Sequence, residues 1–211
     1  STQGYSSAAS DVYKRQEIKR SFIGSGVRYD LLLHRYTDDN LNKAAHTYME
    51  ELIARHVSGR LKVAPEHTED NVLKMMRKPS FELFGQFKKI FDRVNKQYGL
   101  NQQLIPYFIS SHPGCTEADM ANLAIQTKKL HFQLEQVQDF TPTPMTLATE
   151  MYYTGYHPYT LEKIYTAHTK EQKLAQRQFF FWYKPEFRRQ ITQALQRIGK
   201  KDLIGRLFGK L

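Results

Sequence analysis

The sequence predicts an α/β fold built around a parallel sheet. Two observations carry this. Short apolar runs alternate with long segments whose apolar residues recur three and four apart, the order expected of βαβ units. Several of the runs also lead into polar or Gly/Pro turn signals followed by an acidic or hydroxyl helix cap, so ligand-capable residues gather at strand ends. No apolar run is long enough to cross a membrane.

The first strand is expected at Ser21 to Val27, ending in Gly24-Ser25-Gly26. Thr37 or Asp38 then caps a helix running toward His56, with Leu41, Ala44, Ala45, Tyr48, Met49, Leu52 and Ile53 on its buried face. Arg60 to Ala64 reads as the second strand, and Thr68-Glu69-Asp70 caps a helix through Met76, which Pro79 ends. Ser80 to Tyr98 is an amphipathic helix stopped at Gly99, where glycine adopts a left-handed C-cap. Leu104 to Ile109 is the third strand, Thr116 begins a helix to Leu130, and Phe132 to Phe140 is the fourth strand. From Thr141 a Pro/Thr segment and several tyrosines form a covering loop. The remainder is helical, with an aromatic knot at Phe179 to Tyr183.

Composition narrows the class. The chain has 211 residues, a net charge of +10 and one cysteine, Cys115. One thiol excludes an internal disulfide framework, and the chain reads as cytoplasmic. Residues 6–16 resemble the translation of a transposase-type sequencing-library adapter, so residues 1–16 are expected to be a non-native leader and the natural protein to continue upstream of Glu17. Residues 160–211 hold twelve Lys and Arg against four Asp and Glu, which places the basicity in the tail.

The strand ends also carry a resemblance. Leu61 to Met76 (LKVAPEHTEDNVLKMM) and Ile105 to Met120 (IPYFISSHPGCTEADM) are similar to successive strands of the radical S-adenosylmethionine (SAM) barrel. The runs GSGVRYDLL, LKVAPEHTED, QLIPYFISSHPGCTE and QLEQVQDFTPTPMTLATEMYYTG resemble the YgiQ-type (UPF0313) radical SAM proteins from Ile18 to about Leu207. The resemblance implies a partial parallel (β/α) barrel at residues 17–145, with a lid-like loop and basic helical extension at 146–211. It implies SAM and a 4Fe-4S cluster as cofactors, an unidentified substrate, and an electron donor such as flavodoxin or ferredoxin. In such enzymes the reduced cluster cleaves SAM to a deoxyadenosyl radical. The family's Cys-x3-Cys-x2-Cys loop is absent here and is expected upstream, so the chain alone is expected to be inactive.

Candidate site residues follow from both readings. Ser25, Arg28 and Asp30 form either a strand-end turn with a surface ion pair or, on the resemblance, a SAM contact by Ser25 and Arg28 that Asp30 orients. Glu66 and His67 either cap the next helix or contact the adenosyl moiety, with Pro65 fixing the turn and His67 also a candidate proton carrier. Ser110, Ser111 and His112 form either a polar turn or part of the cofactor site. Cys115 is a small residue at a helix start or a reactive thiol. Gln136, Gln138 and Asp139, alternating with Val137, are candidate substrate contacts at the barrel mouth. The remaining histidines lack ligand-like pairing, and no metal site is expected within the chain. A nucleic-acid-binding tail using Trp182 and Tyr183 is the alternative from another class.

Overall fold

The computed structural model describes residues 20–209, so the expected leader lies outside the described residues. The described residues divide into two compact units, the first running to residue 62 and including 86–104, the second comprising 63–85 and the residues from 105 onward. The expected domain boundary at 145/146 falls inside the second.

In the first unit, the segment expected to be a strand is not one. Residues 21–27 bend at Ser25 and form a single bridge at Val27 without a ladder; the Ile23 N–H donates to the His56 carbonyl (2.9 Å) and the Val27 N–H to that of Lys62 (3.2 Å). The glycines on both sides of Ser25 lower the strand preference between those two anchors. A short helix, α1 (Tyr29–Leu32), follows, and then α2 (Asp39–His56), whose Asp38 carboxylate accepts the Asn40 N–H as an N-cap. The apolar spacing buries Met49, Leu52 and Ile53 on one face of α2. Within this unit Tyr29 stacks on Phe87 at 5.5 Å, and the Gln102 side chain donates to the Ile53 and Val57 carbonyls that the end of α2 leaves open.

The second unit contains most of a three-stranded sheet in the order β1-β2-β3, formed by β1 (Arg60–Glu66), β2 (Gln103–Ser110) and β3 (Gln136–Asp139). β2 and β3 pair in parallel, with Tyr107 opposite Gln136 and Ser110 opposite Asp139. Two helices, α3 (Asp70–Met75) and α4 (Phe81–Tyr98), connect β1 to β2, and α5 (Glu117–Lys129) connects β2 to β3. The Thr116 hydroxyl and the Asp119 carboxylate form the capping box that starts α5. β3 is shorter than the apolar run from Phe132 to Phe140 predicts, because Leu134 is buried as a loop residue before the ladder begins.

Beyond β3 come α6 (Leu147–Thr154), α7 (Lys170–Arg177), a 3-10 turn (Gln178–Phe181), α8 (Pro185–Arg197) and α9 (Asp202–Phe208). These do not stand apart from the sheet. Phe179, Phe180, Ile191, Leu195, Leu203 and Leu207 share one core with Phe108 of β2 and Met120 and Leu123 of α5. Trp182 donates its indole N–H to the Thr127 hydroxyl and Tyr183 its hydroxyl to the Leu134 carbonyl, so the aromatic knot is fastened into this core. Among the described residues no helix is long and apolar enough to cross a membrane.

Candidate functional site

In the second unit the C-terminal ends of all three strands meet a cavity of about 330 Å³. Glu66 closes β1, Tyr107 and Ile109 come from β2, and Gln138 and Asp139 from β3. The loop after β3 supplies a wall through Phe140, Thr141, Thr143 and Thr146. That loop is stiffened from within, since the Thr143 carbonyl accepts the hydroxyls of both Thr146 (2.8 Å) and Thr149 (2.7 Å).

Glu66 is the strained point of the rim. The His67 N–H bonds back to the Pro65 carbonyl at 2.8 Å, a three-residue turn that forces Glu66 to a φ of 68°. The turn aligns the carboxylate with Lys78, whose Nζ lies 3.2 Å from Oε1, while the buried Oε2 has no hydrogen-bond partner. Burial pushes the Glu66 carboxyl above the ordinary glutamate value, and Lys78 pulls against that rise.

The end of β2 repeats the pattern. Ser111 sits at a φ of 61° with a buried, unpartnered hydroxyl, and its N–H donates to Gln176 Oε1 at 2.8 Å. The Ser110 hydroxyl donates to Asp139 Oδ1 at 2.5 Å, and Arg177 donates to Asp139 Oδ2 at 3.2 Å. The Tyr107 hydroxyl donates to Gln138 Oε1. His112 lines the cavity, edge-on to the Phe140 ring at 5.0 Å; its Nδ1 bonds to the Pro113 carbonyl, and burial lowers its pKa to about 4. It is therefore a neutral imidazole whose Nδ1 carries the proton and whose Nε2 can accept one.

Not every candidate reaches this cavity. His67 is fully enclosed and does not line it. The Glu69 N–H donates to His67 Nδ1, so the ring proton lies on Nε2, which faces Cys115 Sγ at 3.5 Å. Burial lowers the His67 pKa to about 3 and drives the Cys115 thiol far upward, so neither is charged near neutral pH. The reactive-thiol reading of Cys115 gives way to a buried packing role. Gln136 does not line the cavity. Ser25 and Arg28 belong to the first unit, where Arg28 forks onto Asp30 at 2.6 and 2.8 Å and remains largely exposed. This pair lowers the Asp30 pKa, chiefly through the hydrogen bond.

Lys78, Tyr107, Gln176 and Arg177 were missed as site residues. Their partners lie 12 to 65 positions away, and no local spacing signals such contacts. Among the described residues no cluster of His, Cys, Asp and Glu could hold a metal ion. The tail's cations are partly engaged: Lys184 lies 4.8 Å from the Phe181 ring, Arg188 lies 5.3 Å from that of Phe208, and Arg197 pairs with Glu117 at 2.6 Å. With Trp182 and Tyr183 fastened down, the stacking platform that the nucleic-acid alternative requires has no support.

Comparison with known proteins places these features in a family context. Residues 135–210 match a family model described as a domain of unknown function, DUF3362. The chain is 66% identical over 204 residues to a UPF0313 protein of Bacteroides thetaiotaomicron, covering 95% of this chain and 33% of the relative. A UPF0313 protein of Porphyromonas gingivalis is 67% identical, covering 93% of this chain and 31% of the relative. The UPF0313 protein YgiQ of Escherichia coli is 42% identical, covering 89% and 25%. The chain thus spans about a third or less of the length of these relatives.

Proposed function

We propose that the chain is a segment of a UPF0313-family protein and that it supplies late strands of a radical SAM barrel and the cavity that receives the adenosyl end of SAM. The strand-end cavity carries this reading. It combines apolar walls suited to a flat ring (Met76, Ile109, Phe140) with Glu66, whose buried Oε2 awaits a partner. A strained non-glycine residue with an unpartnered buried oxygen is disfavoured unless a ligand uses it.

The residues fit SAM in distinct roles. Glu66, oriented by Lys78, would meet the polar edge of the adenine; Phe140 and Ile109 would exclude water from its face. The Asp139 carboxylate, held on both oxygens, would accept from a hydroxyl, and neutral His112 Nε2 would accept a proton or a hydrogen bond. When bound, SAM supplies hydrogen-abstraction chemistry to such enzymes. Cluster ligation does not fit this chain: Cys115 is its one cysteine, and it is buried, neutral and packed against His67. The cluster would be held by the part of a relative's length that lies outside this chain, with a flavodoxin- or ferredoxin-like donor.

A direct test grafts this sequence in place of the matching third of the Bacteroides thetaiotaomicron relative, reconstitutes the chimera anaerobically with iron and sulfide, and titrates SAM. Micromolar binding that weakens by about 1–3 kcal/mol in Glu66→Ala is expected. No binding, or binding indifferent to Glu66, contradicts the proposal.

A further inference from the structure

Two adjacent residues at the end of α7 reach two different strand ends. Gln176 is fully buried; its Oε1 accepts the Ser111 N–H at 2.8 Å and its Nε2 donates to the Cys115 carbonyl at 2.7 Å. It therefore bridges both ends of the loop that begins with Ser111 at positive φ. Arg177 donates to Asp139 Oδ2 while Ser110 takes Oδ1, so neither carboxylate oxygen is free to turn. An apolar side chain at 176 would avoid the desolvation of an amide. The amide is accounted for by the loop it holds, whose strained backbone would otherwise relax.

We propose that Gln176 and Arg177 are positioning residues of the strand-end cavity: from within the 135–210 segment they hold the loop after β2 and the Asp139 carboxylate in the arrangement that receives the ligand. This rests on the reading of the cavity as a SAM site. The helical segment after β3 then completes the site, as well as covering hydrophobic surface.

The test uses the reconstituted chimera with Arg177→Met, Arg177→Lys and Gln176→Met, read by SAM titration, thermal midpoint and hydrogen exchange at the Ser111 amide. Arg177 is partly exposed, so its replacement leaves the core intact. Arg177→Met should weaken SAM binding on the order of tenfold, as loss of a partner that orients a ligand-contacting group does elsewhere, with the thermal midpoint nearly unchanged. Arg177→Lys should recover part of the affinity because the charge remains while the planar guanidinium that reaches Asp139 Oδ2 is lost. Gln176→Met should speed Ser111 amide exchange and weaken binding together. Parent-like affinity in both Met variants overturns the proposal, as does a loss of affinity that only tracks the thermal midpoint. If the parent chimera binds no SAM, the cavity reading fails separately. Ser111 exchange then decides the positioning role of Gln176: an unchanged rate in Gln176→Met overturns it and a rise of about tenfold or more upholds it.

Discussion

Glu66 and Ser111 follow one physical logic: each stands at or just after a strand end, at positive φ, with one buried oxygen unpaired. Ser111→Gly removes both the backbone strain and the unpartnered hydroxyl, and should stabilise the protein by about 1 kcal/mol in urea denaturation. A loss of stability would show that the hydroxyl has a partner in solution. Lys78→Met removes the cation opposing the burial of Glu66, so the Glu66 carboxyl should titrate still higher when followed by carbon NMR. The two buried imidazoles set an acid limit. The unfolded chain takes up protons below about 6.5, whereas folded His112 and His67 resist to about 4 and about 3. Their contribution to stability is full above pH 6.5 and is lost as pH falls through that value toward the folded pKa values. His112→Phe should make the decline in urea midpoint between pH 6.5 and 4.5 shallower; an equal decline would assign it to other groups. Glu66, Ser110 and Asp139 stand at strand ends, which leave local signals in a sequence. Lys78, Gln176 and Arg177 act only through partners that folding brings near.

The helices were the legible elements. Asp38, Thr116 and Gly99 all sit where capping chemistry predicts, with Gly99 at a φ of 63°. Thr116→Ala should lower stability by about 1 kcal/mol through loss of the capping box at α5. Gly114 is tighter still: at a φ of 85°, an added Cβ would lie 3.0 Å from Met75 Cγ. Gly114→Ala should therefore cost about 1–3 kcal/mol by thermal denaturation. The strands were harder to read. Phe22 and Ile23 look strand-like, but hydrogen bonds at Ile23 and Val27 alone do not make a ladder. At β3, burial of Leu134 reflects packing against the helical core, and apolar character alone extended the expected strand too far.

For the whole molecule, charge in the tail was visible in the sequence but its use was not. Arg177, Lys184, Arg188 and Arg197 pair with carboxylates or rings, and Lys128 of α5 donates to the Arg206 and Leu207 carbonyls that end α9. The segment after β3 belongs to the same core as α5 and β2, which explains why strand-end residues and α7 can form one site. Taken alone, this chain should take up neither cluster nor SAM, because its single thiol is sequestered. The most direct measurement of where SAM binds is photolabelling of the reconstituted chimera with an azido-adenine analogue of SAM, followed by peptide mapping of the adduct. SAM-competed labelling of peptides carrying Met76, Tyr107 or Gln138 is expected. Competed labelling confined to other peptides would contradict the proposal.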